Sequence, residues 1–381
     1  MKLNDLTILE VCPYSAGICG VFSRVLTEAT AFKEMGHKVI IFSSNATKGS
    51  KDIAPENDEL NGIRIRRIKF RKLGGESFMN WDSKWIKEAA DLNPDIIITH
   101  NYRHLHTTDC LEIKKELVKR SKFCPVVLVT HAPFVKDNAT RGFLAKMAVK
   151  FYDKFIGPST LYQFDAVINI CNWEVPYLLK LGIDKNKIHY IPNVIPNIYF
   201  SSPAVPPINN TALFLGRVAP VKNIEFIYEL AKIMPNFNFS VVGPIEESYI
   251  AALSKKYPVA PANITYYGAV YDALKKINVY DLHKYFILPS IREAMPQAPM
   301  EAMARGRIVI SSNTDGAREI ILQGQTGFIC ENNSPEEARD YIRLSEKIPL
   351  DQNKIKESIF KEYSTNKLKE KYAHLFEGLL K

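Results

Sequence analysis

The stretch PSIREAMPQAPMEAMARG, residues 289–306, carries two carboxylates, Glu293 and Glu301, eight positions apart. On a continuous helix such a pair lies roughly on one face, where two acids can work as acid and base. Pro296 and Pro299 oppose that reading, because a proline inside a helix costs about 3 kcal/mol. They predict a strand-to-helix loop, with Pro299 at the first helical position and Gly306 just past the helix end. Glu293 then lies in the loop and Glu301 in the first helical turn. The turn at 294–298 and the helix N-terminus could hold an anion, with Pro296 giving no donor. A second cluster, GRVAPVKN, places Gly216, Arg217 and Lys222 just past an apolar run, with a helix starting near Lys222. Arg grips phosphate oxygens as a fork and Lys as a mobile point charge, which suits a diphosphate. Plain structural readings stand beside these: a first-turn acid favoured by the helix dipole, and ordinary charges on a surface loop.

Four further stretches follow or end apolar runs. PYSAGICG holds Gly17 and Gly20, which permit close backbone approach to a ligand, although the spacing is not G-x-G-x-x-G. His131 in VLVTHAPF and His100 in IIITHNY end runs of their own, and a lone His is more often structural than catalytic. SSNTDGAREII, with Gly316 and Glu319, reads first as a turn with a helix start.

The elements that must position these residues follow from the alternation of short apolar runs with helix-period segments. In the first half the runs are LTILEVC, KVIIFSS, IRIRRIKF, DIIITH, PVVLVTH, AVINIC and KIHYIP. After residue 211 they are ALFLG, FNFSVVG, NITYYG, KYFILPS, RIVISSN and GFIC. Near-continuous apolar strands separated by helices predict parallel sheets covered on both faces. Residues 191–211 carry five prolines and no periodicity, which marks a joint. The expected organisation is an α/β chain of two Rossmann-like doubly wound domains, 1–191 and 192–350, facing across a cleft. A helical tail, 351–381, would cross back to the first. Ligands in such sheets bind beyond the carboxyl ends of the strands.

The chain has 381 residues, 46% hydrophobic and 24% charged, as in soluble globular proteins. No apolar run approaches the ~18 residues of a membrane span, and the N-terminus reads as a strand rather than a signal peptide, so a cytoplasmic protein is expected. Six scattered cysteines without a C-x-x-C pair read as free buried thiols, and no cluster suits zinc. The net charge of +9 is uneven: residues 1–190 hold 28 Lys and Arg against 21 Asp and Glu, the remainder 22 against 20. A basic first half can attract phosphate-bearing partners or simply keep the surface solvated.

Taken together, these motifs resemble glycosyltransferase family 4, retaining nucleotide-sugar enzymes of the GT-B fold. The resemblance rests on DAVINICNWEVPYLLKLGIDKNKIHYIPNVI, on FLGRVAPVKN as a G-R-x-x-x-x-K motif, on the E-x7-E pair at Glu293 and Glu301, and on TDGAREIILQGQTGFIC. It implies that Arg217 and Lys222 hold the donor diphosphate and that Glu301 accepts from the nucleotide ribose. Glu293 would contact sugar hydroxyls, and the backbone N–H groups of Met295 and Gln297 the sugar or phosphates. His131 would lie near the reacting sugar, and the Gly17–Gly20 loop would face the phosphate and the acceptor. The co-substrate is expected to be a UDP-sugar first and a GDP-sugar second, and the acceptor a glycan, lipid-linked or small hydroxyl compound in envelope or surface glycan synthesis.

No D-x-D occurs in the chain. Arg217, Lys222 and a helix N-terminus are expected to neutralise the leaving diphosphate, with no metal and no cofactor. The segment RGFLAKMAVKFYDKFIG, 141–157, spaces Lys146, Lys150 and Lys154 along one helix edge among apolar residues. It reads either as a helix on an anionic membrane surface, peripheral on the inner face of the cell membrane, or as a half-buried helix with a wet edge. Two other functions compete with this one: a nucleotide-sugar epimerase of related architecture, against which the two motifs argue, and a nucleic-acid-binding protein. The latter has only the basic half and RIRRIKFRK, read as an exposed or edge strand, so no nucleic-acid partner is expected.

Overall fold

The computed structural model describes residues 5–17, 19–72, 76–134, 143–201 and 206–381. Of the stretches read above, residues 1–4, Ile18, Arg141, Gly142, the side chains of Phe143, Leu144, Ala145 and Ser201, and residues 202–205 lie outside them. The chain divides into two units, Met1–Val194 with Thr365–Lys381, and Ile195–Ser364. The first change of unit falls inside the proline-rich stretch. The tail is not one piece: the helix Gln352–Tyr363 stays with the second unit and the helix Thr365–Leu379 belongs to the first.

The first unit has strands β1 (Thr7–Tyr14), β2 (Lys38–Ser44), β3 (Asn57–Leu60), β4 (Ile63–Ile68), β5 (Phe70–Lys72), β6 (Met79–Trp81), β7 (Ile96–His100), β8 (Val126–Val129), β9 (Ala166–Asn169) and β10 (Ile188–Tyr190). Eight of them form one sheet in the order β10-β9-β8-β7-β1-β2-β4-β3. All pairs are parallel except β3 with β4. The apolar runs of β7, β8 and β9 are buried along their whole length, as strands covered on both faces must be. RIRRIKFRK is an exposed edge strand only in its last three residues, β5, where Arg71 and Lys72 are exposed. Its core, β4, lies between β2 and β3, and Arg67 is buried on Ser15, the Pro55 carbonyl and Asp58. The edge is β3, a short polar strand whose four residues are all exposed. β5 and β6 form a separate antiparallel pair.

The returning helix is fixed by aromatic packing. Tyr372 meets Phe32 edge-on at 4.8 Å, Phe376 lies 5.5 Å from the same ring, and Tyr372 Oη donates to Glu28 Oε1 at 2.5 Å.

The second unit has β11 (Ile208–Leu215), β12 (Asn238–Val242), β13 (Ile264–Tyr267), β14 (His283–Leu288), β15 (Ile308–Ser312) and β16 (Gly327–Cys330), all parallel in the order β13-β12-β11-β14-β15-β16. Strand order reverses between β11 and β14 here, and between β1 and β7 in the first unit. In open α/β sheets such reversals leave a crevice at the carboxyl ends. GRVAPVKN follows β11 and the E-x7-E stretch follows β14, so both motifs flank the second unit's reversal.

Candidate active site

In the second unit the loops after β11 and β14 are tied together by the Ile291 N–H donating to the Val221 carbonyl at 2.9 Å. This registers Lys222 against Glu293, and Lys222 Nζ stands 2.5 Å from Glu293 Oε1. Lys222 ends a short 3-10 turn, Pro220–Lys222, and Asn223 turns left-handed (φ 51°) to open the helix Ile224–Ile233. Arg217 is on the surface, with Nη1 2.6 Å from Glu246 Oε1. Glu246 is brought there because Val218 and Ile245 pair, joining the loops after β11 and β12. These loops approach closely: a Cβ on Gly243 would stand 2.0 Å from the Gly216 carbonyl oxygen.

The helix after β14 runs over Gln297–Ala304 with Pro296 as N-cap, so Pro299 is its third residue and not its first. A proline is tolerated throughout the first turn because those N–H groups have no intrahelical acceptor. Glu301 accordingly lies in the second turn, and Gly306 past the end has φ +70°. The N-terminus has no side-chain cap, so the Gln297 and Ala298 amides are its donors, Pro296 and Pro299 having none. Met295 is buried beside it. Gly316, read above as a simple turn residue, supports this loop: its N–H donates to the Glu293 carbonyl at 3.1 Å, and any Cβ would collide with the backbone of Glu293 and Ala294.

Glu301 is engaged by two residues that sequence reasoning missed. Lys276 Nζ donates at 2.8 Å and Tyr280 Oη at 2.7 Å, both from the helix Ala273–Leu282. That helix is pinned by Asp281, whose carboxylate accepts from Arg305 Nε and Nη2 at 2.9 and 2.7 Å, fully buried. Burial, with the Glu301 charge second, pushes the Tyr280 hydroxyl well above its ordinary range, so it stays a donor. Lys276 and Tyr280 are four apart on one helix face, but nothing local links them to Glu301.

In the first unit, His131 follows β8 with φ +58°, and Ala132 has φ +50°. Consecutive left-handed non-glycine residues cost energy that the surroundings must hold, and such strain clusters at functional sites. His131 is not alone. Its Nε2 lies 2.9 Å from His100 Nδ1, and His100 Nε2 lies 2.7 Å from Glu10 Oε2. Glu10 comes from the middle of β1, a charged residue in an apolar strand. That mismatch was the sequence signal for it. Burial, with the Glu28 charge second, raises the Glu10 carboxyl well above its usual range. Burial lowers both imidazoles well below theirs. Among the described residues Glu10, Glu28 and His100 present metal-ligand atom types within 4.8 Å. Glu28 already binds Arg24 (2.7 Å) and Tyr372, and the guanidinium opposes a cation there. Gly17 (φ +79°) pairs with Lys48, whose carbonyl oxygen leaves no room for a Cβ. Gly20 opens the uncapped helix Gly20–Glu34 and faces open space. The two glycines thus differ: close packing requires Gly17, whereas a Cβ on Gly20 would meet nothing within 4 Å.

The geometry therefore gathers Lys222, Glu293, Met295, Gln297 and Glu301 in the second unit, with Arg217 on the adjoining loop, and Gly17, Gly20 and His131 at strand ends of the first. Two family models cover these ranges: glycosyl transferases group 1 matches residues 198–362, and glycosyltransferase family 4 matches residues 18–196. The chain belongs to glycosyltransferase family 4. This family-4 chain is 25% identical over 256 residues to an N,N'-diacetylbacillosaminyl-diphospho-undecaprenol alpha-1,3-N-acetylgalactosaminyltransferase of Campylobacter jejuni, covering 62% of the chain and 64% of that enzyme. It thus spans less than two thirds of that relative's length. It is 24% identical over 337 residues to a phosphatidyl-myo-inositol mannosyltransferase of Mycolicibacterium smegmatis, covering 83% of the chain and 78% of that enzyme. A sucrose-phosphate synthase of Thermosynechococcus elongatus shares the fold, GT-B, with a TM-score of 0.75 over 98% of this chain and 99% of that one at 16% identity.

Proposed function

We propose that this chain is a glycosyltransferase that moves a sugar from a nucleoside-diphosphate sugar to a hydroxyl acceptor, retaining the configuration at the transferred carbon. The observation that carries this reading is the meeting of Lys222, Glu293 and the uncapped N-terminus of the Gln297–Ala304 helix at the β11/β14 reversal. A diphosphate there finds a mobile ammonium, two free amides and the fork of Arg217 nearby. These groups neutralise the charge that develops on the leaving phosphate, which is the task a metal performs in enzymes that hold one on D-x-D.

Glu301, on a rigid helix, takes the ribose hydroxyls, and Glu293, freed from Lys222 by the incoming phosphate, takes hydroxyls of the sugar. The carbon–oxygen bond to the diphosphate breaks, the acceptor hydroxyl attacks the same face, and its proton passes to the departing phosphate oxygen. The family resemblance assigns His131, in the first unit, to the reacting sugar. UDP-sugar is the first donor to test and GDP-sugar the second. The names of the two relatives described above contain a lipid, diphospho-undecaprenol and phosphatidyl-myo-inositol, which supports a lipid-linked acceptor in envelope glycan synthesis.

A panel of nucleotide sugars, screened by thermal shift and then by nucleotide release with polyprenyl-diphosphate glycans and phosphoinositides, tests this. One donor should release nucleotide only when an acceptor is present, in EDTA as well as without it, and the product anomer should match the donor. Interconversion of the donor sugar without acceptor would instead establish an epimerase, and activity lost in EDTA would remove the metal-free step.

A further inference from the structure

His131 and the two groups behind it form one unbranched line: Glu10 Oε2, His100 Nε2, then His100 Nδ1, His131 Nε2. His100 and Glu10 are fully buried, whereas His131 is partly exposed. A neutral imidazole has one donor and one acceptor nitrogen. In a line of two neutral rings each ring therefore passes on the direction it receives. If Glu10 carries the proton, it donates to His100 Nε2, His100 Nδ1 donates to His131 Nε2, and His131 offers an N–H at Nδ1. If Glu10 is ionised, every bond reverses and His131 offers a lone pair at Nδ1. Among the described residues nothing bonds to that Nδ1, where the line ends.

We propose that Glu10, acting through His100, is a positioning residue that sets whether His131 presents a proton or a lone pair to the reacting sugar. The role at the sugar rests on the functional reading above; the coupling of Glu10 to His131 does not. The shift between the two states is balanced. A proton leaves His131 Nδ1 for solvent, the His100 Nδ1 proton moves to His131 Nε2, and the Glu10 proton moves to His100 Nε2. Glu10 is left ionised and no buried imidazolium is formed.

The surroundings favour this arrangement over a charged ring. Arg24 is committed elsewhere, to Glu28 at 2.7 Å, Asn193 at 3.1 Å and the Ile191 carbonyl at 3.0 Å. Glu28 also takes the Tyr372 hydroxyl, and its other oxygen is 3.6 Å from His100 Nε2. At Glu10 the Arg24 charge, which favours ionisation, is outweighed by the Glu28 charge paired with it. The other titratable neighbours are His106, whose Nε2 bonds the His100 carbonyl at 2.9 Å, His104 beside it, and the thiols of Cys12 and Cys19. Burial holds His106 neutral, down to about 3, and raises the Cys12 thiol, so neither supplies charge near neutrality.

Histidine-selective 15N labelling tests the coupling in the whole chain, because two-bond 1H–15N correlations distinguish the two tautomers. His131 and His100 signals are assigned by their loss in His131→Gln and His100→Gln. With rising pH both rings should exchange tautomer together at one midpoint, without an imidazolium signal, and Glu10→Gln should abolish the joint change. A His131 tautomer that does not change with pH in the wild type, or one that still changes in Glu10→Gln, overturns the coupling. Should Glu10→Gln fail to fold, the joint change in the wild type decides alone. Turnover against pH is the separate check on the sugar role. Glu10→Gln should lose one limb of the kcat profile, about tenfold at its extreme, with donor KM within twofold. An unchanged profile, with the tautomer coupling intact, would move His131 away from the sugar and leave the coupling standing.

Discussion

Lys222 and Glu301 each carry an internal counter-charge at the place where the proposed donor binds: Glu293 on Lys222, and Lys276 on Glu301. Donor binding therefore exchanges one charge partner for another rather than desolvating bare ions, which keeps the site satisfied when empty. Lys222→Ala removes the exchangeable cation and should lower kcat by about 10²–10³, the loss typical of removing one charge-stabilising group. Arg217→Ala should fall in the same range, and wild-type turnover in either would end the role. Glu301→Ala should instead raise the donor Kd by roughly 10- to 100-fold, as expected for lost hydrogen bonds to a charged group worth about 1.5–3 kcal/mol. Calorimetry with the released nucleotide measures it, and an unchanged Kd would exclude the ribose contact. At this scale Arg217 with Lys222, and Glu293 with Glu301, were readable as candidates because in each pair a strand end, proline and charges lie within one short stretch. Lys276 and Tyr280 were not, since their partner lies 25 and 21 positions away, and Glu10 showed only as a charge in an apolar strand, its partner His100 being 90 positions away.

Strands were legible wherever burial on both faces forces a continuous apolar run, as in β7, β8 and β14. β3 was not, because NDEL is exposed at every position and has no pattern to read. The start of the Gln297–Ala304 helix shifted by two residues, because two prolines spaced three apart both suit a first turn. Between β8 and β9 the loops are joined by Glu174, which accepts from Thr130 Oγ1 at 2.7 Å and from the Ile170 N–H at 2.9 Å. Thr130 precedes His131, so this link supports the strained turn. Burial pushes the Glu174 carboxyl up to about 7, with those hydrogen bonds opposing the rise. A carboxyl raised in the folded state stabilises below its unfolded value near 4.5 and loses that stability as pH rises through 7. The loss is on the order of 3 kcal/mol for a shift of this size. Glu174→Gln should remove it, so the difference in stability between wild type and variant should change between pH 5 and 8. All three tryptophans, Trp81, Trp85 and Trp173, lie in the first unit, so urea unfolding followed by tryptophan fluorescence reads that unit directly. A pH-independent difference would show that Glu174 titrates normally.

At the scale of the whole molecule, the two-unit plan followed from the restart of strand–helix alternation after the five prolines, whereas the return of Thr365–Leu379 to the first unit carried no local signal. A sequence does not show which sheet a terminal helix will cover. The basic segment is the other feature only the structure could sort. Among the described residues no helix is long and apolar enough to cross a membrane. In the helix Phe143–Phe151 and the π-helical turn Tyr152–Ile156, Met147, Phe151 and Phe155 are 50%, 58% and 60% exposed, and Lys146, Lys150 and Lys154 are exposed beside them. A half-buried helix with a wet edge would have hidden those apolar side chains, which have the same four-residue spacing as the lysines. Together they form a basic apolar stripe of the kind that settles on an anionic bilayer, consistent with a lipid-linked acceptor. Three lysines near an anionic surface contribute roughly 1 kcal/mol each, about a hundredfold in binding, and this is screened within a Debye length of ~10 Å at 0.1 M salt. The chain should therefore float with phosphatidylglycerol vesicles at low salt and release as salt rises. Lys146, Lys150 and Lys154→Glu together should abolish flotation, while Phe151→Ser with Phe155→Ser should weaken it at every salt concentration. No retention of the wild type at low salt would remove the membrane from the proposed function and leave a soluble acceptor to be sought.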